Sequence, residues 1–152
     1  MISILHIHPI IVHFPIVFAL TLALVDSIAI FKNYSVTGRS YLGNTSTLFA
    51  IVAGLSGLIA IIFGDIALET AEAGGFSSDI AEIHEHLGSA VAFILIGWAI
   101  IRAFLWFRNT QLPKWSVNLI PVIELGIAVA IIATAYFGGE LVYDLGVNVT
   151  NL

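Results

Sequence analysis

Cysteine is absent from this 152-residue chain. That excludes disulfides, thiolate zinc sites, iron–sulfur clusters and the C-x-x-C-H attachment of c-type haem. Charge is scarce as well. Asp, Glu, Lys and Arg together make up 10% of the residues, where a soluble domain carries about a quarter. An ordinary soluble fold is therefore not expected. With only five basic residues there is no patch for a phosphate backbone, so nucleic acid is not expected as a partner. No phosphate loop and no nucleophile–base set is present, which argues against a complete enzyme. The opening Met1-Ile-Ser-Ile-Leu-His6 has no positive region and no small-residue cleavage site, so a cleaved signal peptide is not expected.

What the chain has is apolar length. It is 59% hydrophobic with a mean hydropathy of +1.05, concentrated in four long runs. A helix crossing a bilayer needs roughly 20 such residues. The runs predict spans at about 10–31, 45–67, 82–106 and 117–138. Little remains outside them, so residues 1–152 read as a single transmembrane domain, an all-α four-helix bundle in a lipid bilayer.

The charged residues are segregated. Lys32 and Arg39 follow the first run, while Arg102, Arg108 and Lys114 lie in and beside the third connection. The second connection, roughly 66–81, has no Lys or Arg and carries Glu69, Glu72 and Asp79; Glu140 and Asp144 mark the C-terminal tail. Because Lys and Arg in short loops stay cytoplasmic, both termini are expected outside, in the plasma membrane of a prokaryote. Trp98, Trp106 and Trp115 are expected at or near the cytoplasmic interface.

Local chemistry suggests the helix boundaries. Pro9 suits a first helical position, and Pro15 in the second turn should bend the helix or free a carbonyl near His13. Asp79 and Glu82 are spaced as N-cap and N3. Gly74-Gly75 should interrupt the chain before the third span, and Gly138-Gly139 should end the fourth. In the second span, Ala50, Gly54, Gly57 and Gly64 form a small-residue stripe. It would admit another helix, or a flat cofactor against bare backbone at Gly54 and Gly57. Gly88, Ala92 and Gly97 give the third span a weaker version of the stripe.

All five histidines lie opposite the basic residues: His6, His8 and His13 at the first run, His84 and His86 at the third. Polar groups at membrane depth are costly and usually functional. Spans one and three both start outside and so run parallel, with their first residues at matching depth. His13 sits about 6 Å inside Pro9. His84 and His86 point about 200° apart and cannot easily serve one metal. His8, beside Pro9, can fold over the bundle mouth, and His6 reads as interfacial.

Three explanations remain open: interfacial histidines in a purely structural membrane subunit, haem b held by histidine pairs, and a non-haem zinc or iron site in a metal-binding or transport protein. The last would combine His8, His13 or His84 with Asp65, Glu69 or Glu85. Haem needs only nitrogen ligands, apolar walls and small residues beside the ring. Phe14, Phe63, Phe93 and Phe137 are candidate walls, and Asp65, Glu69, Glu82 and Glu85 are candidate acceptors for the second ring nitrogens. On this reading His8, His13, His84 and His86 are the metal-binding candidates. One haem would sit between His13 and His84, with room for a second on His8 and His86. Away from this site, Asp26 and Glu124 are expected to pair with Arg102 or Lys114, or to serve a proton path.

The run His8-Pro9-Ile10-Ile11-Val12-His13-Phe14-Pro15 resembles a family of small bacterial and archaeal membrane proteins, domain of unknown function twenty-two thirty-one. The likeness continues through Gly64-Asp65, His84-Glu85-His86-Leu87-Gly88 and Gly138-Gly139-Glu140-Leu141-Val142-Tyr143. The resemblance implies four spans and points to His8, His13 and His84, with His86 an addition. The resemblance also implies relatives joined to or found beside c-type cytochromes, which turns the reading toward redox work. The expected function is electron transfer by a membrane anchor or redox subunit, between a quinone and an extracytoplasmic cytochrome or larger redox complex, with a homo-oligomer left open. Asn148-Val149-Thr150 is a glycosylation-type triplet on the outward tail. Asn33 and Asn44 begin others on the side where modification does not occur.

Overall fold

In a computed structural model, residues 7–147 and Val149 are described. His6, and Asn148 and Thr150 of the glycosylation-type triplet, lie outside the described residues. The elements are α1 (Ile7–Ile11), α2 (His13–Phe31), α3 (Tyr41–Ala73), α4 (Asp79–Phe107), α5 (Lys114–Val117) and α6 (Leu119–Tyr143). They form four helical rods, each long and apolar enough to cross a membrane: 7–31, 41–73, 79–107 and 114–143.

Two rods are interrupted by the same device. The breaks at Val12 and Asn118 each lie three residues before a proline, Pro15 and Pro121. A proline lacks the N–H for the carbonyl four residues back and its ring crowds that carbonyl. Here the carbonyls concerned belong to Ile11 and Val117, the last residues of α1 and α5. Pro15 therefore acts as expected, whereas Pro9 falls inside α1 rather than at its first position.

Other boundaries differ from expectation. Ser78, not Asp79, caps α4, its hydroxyl accepting from the Ile80 amide. Gly138-Gly139 does not end the fourth rod, which runs on to Tyr143. The 33 residues of α3 span about 50 Å, well beyond a hydrocarbon core of about 30 Å, so its ends run on past the apolar stretch. Asn33 and Asn109, at φ 60° and 49°, close α2 and α4 in the left-handed conformation that Asn tolerates.

The polar contacts give the direction of each rod. His8 meets His84 at one end, and Asp26 meets Arg102 at the other, so the first and third rods are parallel. Ser46 of α3 meets Asp26, while Ala60 further along meets His8, so the second rod is antiparallel. Glu124 and Thr134 of α6 show the same for the fourth. Packing runs α2 on α3, α3 on α4, α4 on α6 and α6 on α2, a closed ring. The first and third rods consequently face each other across its diagonal.

Burial is inverted relative to a soluble bundle. Leu24, Phe93, Ile100 and Ile132 are more than half exposed, while Arg102 and Asp26 are among the largest side chains enclosed. An apolar outer shell around a polar interior is the arrangement lipid requires. Small residues bring α3 against α4: a Cβ on Gly54 would stand 3.1 Å from both Ala99 Cβ and Ile96 Cα. Gly54 is thus a helix-packing residue and not a cofactor shelf. Gly54→Val should cost about 1–3 kcal/mol through overpacking. Gly97→Ala, with nothing within 4 Å of the new carbon, should leave thermal unfolding in detergent unchanged or slightly raised.

At the end of the bundle holding the basic residues, the connections lock together. The Arg39 amide donates to Asn109 Oδ1 (2.8 Å), its guanidinium donates to the Phe107 carbonyl (3.0 Å), and Trp106 Nε1 donates to Asn44 Oδ1 (2.7 Å). Trp115 is exposed, but Trp98 is buried.

Candidate functional site

A cavity of about 520 Å³ lies at the histidine end between all four rods. His8 enters it from α1, the short helix that the Val12 break leaves free to pack on α3. His8 is therefore helical, and it reaches inward rather than folding over the mouth. His84 enters from the second turn of α4.

Each ring is fixed by a main-chain carbonyl and a glycine. Nδ1 of His8 donates to the Ala60 carbonyl (2.9 Å), and Nδ1 of His84 donates to the Thr134 carbonyl (3.0 Å). A carbonyl can only accept, so Nδ1 of each ring carries the hydrogen and Nε2 is left with its lone pair. A Cβ on Gly64 would stand 3.0 Å from Cε1 of His8, and one on Gly138 only 2.8 Å from Cε1 of His84. Neither glycine breaks a helix; each makes room for an imidazole. The two rings lie 6.3 Å apart, centroid to centroid, with planes at 89°.

The other candidates fall differently. His13 stands exposed at the rim, its Nδ1 turned to the Pro9 carbonyl of its own rod (2.6 Å), so His8 rather than His13 is beside His84. His86 is exposed and lines no part of the cavity, as its 200° offset from His84 requires. Gly57 lines the cavity while also packing on Ala92. None of Phe14, Phe63, Phe93 and Phe137 lines it; the walls are mostly aliphatic and small, including Ile16, Ile61, Leu95 and Ile131, with Tyr143 the one aromatic besides the histidines. Asp65 and Glu85 border the space, but carbonyls hold the Nδ1 hydrogens in place of the expected carboxylates. Among the described residues, no three His, Asp or Glu side chains gather as a metal-binding group. His8, His13, His84, Asp65 and Glu85 border the same cavity without forming such a group of three, and Glu69 does not line it.

A second polar cluster lies at the far end. Arg102 is not a connection residue but is buried inside α4, where Nη1 reaches Asp26 at 2.5 Å and Glu124 at 3.3 Å. Its Nη2 donates to the Val36 carbonyl (2.8 Å). The carboxylates accordingly pair with Arg102 and not with Lys114. The sequence signal was three ionisable residues inside apolar runs, each a similar distance from its helix end.

The fold and its two interior polar clusters define a multi-pass α-helical membrane protein with a preformed imidazole pair. The chain belongs to the predicted membrane protein family DUF2231, which it matches over residues 5–151. No curated protein and no solved structure matches it.

Proposed function

We propose that this protein is a haem b electron-transfer protein in which His8 and His84 would hold a single haem. The observation that carries the reading is the spacing of the two rings. Two imidazoles bound on opposite sides of one metal ion, with bonds near 2 Å, have centroids roughly 6 Å apart; these stand at 6.3 Å. The cavity of about 520 Å³ falls within the roughly 300–1,000 Å³ of cofactor sites. A site offering two nitrogens suits a group that brings its own equatorial ligands.

Haem held there by His8 and His84 would supply one-electron chemistry. The chain's own part is positioning and shielding. The Ala60 and Thr134 carbonyls orient the rings and raise the basicity of Nε2. Gly57, Gly88 and Gly139 leave lateral space, and the lining is mostly apolar. The segregation of Lys and Arg turns the imidazole end to the outside of a prokaryotic plasma membrane. There the protein would pass electrons between a membrane quinone and an extracytoplasmic cytochrome, as a redox subunit of a larger complex.

The test is the visible spectrum of protein purified in detergent from haem-replete cells. A sharp reduced α-band is expected. His8→Ala and His84→Ala should each abolish it, and His86→Ala should leave it intact. His13→Ala separates this pairing from one between His13 and His84, and should also retain the band. Iron-free protein, or zinc in its place on elemental analysis, sinks the reading.

A further inference from the structure

We propose that Asp26, Arg102 and Glu124 form a proton-binding site inside the bundle, with the added proton held on Glu124. The site is separate from the imidazole pair and does not depend on haem.

The argument begins with charge. Two carboxyl groups and one guanidinium lie in an apolar interior, at 0%, 3% and 1% exposure for Asp26, Glu124 and Arg102. The two ion pairs made by Arg102 are the only ones among the described residues, so Lys32, Arg39, Arg108 and Lys114 do not neutralise the cluster. With both carboxyls ionised, the site would carry one uncompensated negative charge at membrane depth, a costly state. Two carboxyl groups sharing one site relieve such repulsion by sharing a proton.

The hydrogen bonds locate it. Both Asp26 oxygens are engaged: Ser46 Oγ donates to Oδ1 and Arg102 Nη1 to Oδ2. Glu124 Oε1 accepts from Trp98 Nε1 (3.1 Å) and from Arg102 Nη1 (3.3 Å). Glu124 Oε2 is enclosed and receives no hydrogen bond from a donor, while the Asp26 carboxyl lies within hydrogen-bonding reach of the Glu124 carboxyl. An ionised carboxylate with a bare buried oxygen is the expensive form, and a hydrogen on Glu124 removes the charge and makes the group a donor to the neighbouring Asp26 carboxylate. The groups of the cluster come from three elements: Asp26 from α2, with Ser46 of α3 on it, and Trp98 and Arg102 from α4; Lys114 of α5, which also packs on α6, is exposed and makes no ion pair with it. Asp26 and Arg102 are the only charged ones in that cluster. The step balances simply: one aqueous proton adds to the Glu124 carboxylate to give the neutral acid. A metal cation in its place would need several oxygen ligands, and a single free oxygen does not supply them.

Infrared spectra of the full-length protein in lipid vesicles, in H2O and in D2O at neutral pH, test the assignment. The expected result is a deuterium-sensitive carboxylic-acid C=O band, lost in Glu124→Gln and kept in the exposed control Glu69→Gln. Glu124→Gln copies the neutral acid, so it should melt with the wild type, whereas Asp26→Asn should melt earlier. If Glu124→Gln fails to fold, Glu124→Asp serves instead and should shift the band. The assignment is overturned if no acid band exists at neutral pH, if Asp26→Asn removes the band while Glu124→Gln does not, if the melting order reverses, or if Glu124→Asp leaves the band unmoved.

Discussion

Arg102→Leu should abolish folded, monodisperse protein in detergent. The guanidinium is 1% exposed and is the shared partner of Asp26, Glu124 and the Val36 carbonyl. Removing one member of a buried ion pair costs about 3–5 kcal/mol, because the partner charge stays in low dielectric without compensation. Here two carboxyl groups and a carbonyl lose their donor together, and three rods lose their common tie. The loss should come from the stranded partners and not from missing packing volume. Adding Asp26→Asn and Glu124→Gln to Arg102→Leu should therefore restore much of the monodisperse fraction on size-exclusion chromatography. If the triple variant behaves as badly as the single one, the ionic account of this cluster fails. Arg102→Lys should fall between, since an ammonium cannot reach both carboxyls and the carbonyl with the geometry of a fork.

On the haem reading proposed above, Gly138→Leu should empty the imidazole site while leaving the bundle standing. A Cβ at residue 138 would lie 2.8 Å from Cε1 and 3.3 Å from Nδ1 of His84. The ring must move, and its hydrogen bond to the Thr134 carbonyl breaks with it. A displacement near 1 Å is large for a ligand that must match a metal–nitrogen bond of about 2 Å. Haem stoichiometry in the purified protein should fall to near zero, with the helical circular dichroism unchanged. Gly64→Leu should act in the same way through His8, whose ring approaches Gly64 at 3.0 and 3.1 Å. Gly126→Ala, open on all sides to 4 Å, is the matched control and should retain full loading. Equal loading of Gly138→Leu and the control would exclude His84 as a ligand.

These two sites show how unevenly the sequence exposed its own structure. The four rods were legible because span length follows from bilayer thickness, a property of the surroundings. The Val12 break was legible because Pro15 lacks a donor wherever it stands. The rotation of each rod was not legible. In a soluble helix the polar face identifies the inner one by contrast, but a helix in lipid is apolar on every side, so periodicity cannot show which face turns inward. That is why His13 looked a better partner for His84 than His8 did, and why the four phenylalanines looked like cavity walls. It also explains the reversal at Gly138, where a residue typical of helix ends serves instead as clearance for a ring arriving from another rod.

By itself the sequence determined an all-helical, four-span bundle in which the four described histidines lie toward one end and all five basic residues toward the other. Span length and charge placement are one-dimensional properties, and the membrane converts them directly into topology. Tertiary structure alone decided which of those residues meet. Closing the ring of rods places the first and third across a diagonal, and that rotation sets His8 against His84 and Asp26 against Arg102. Contacts between residues 76 apart in the chain depend on angles about four separate axes, and no local pattern of residues encodes them.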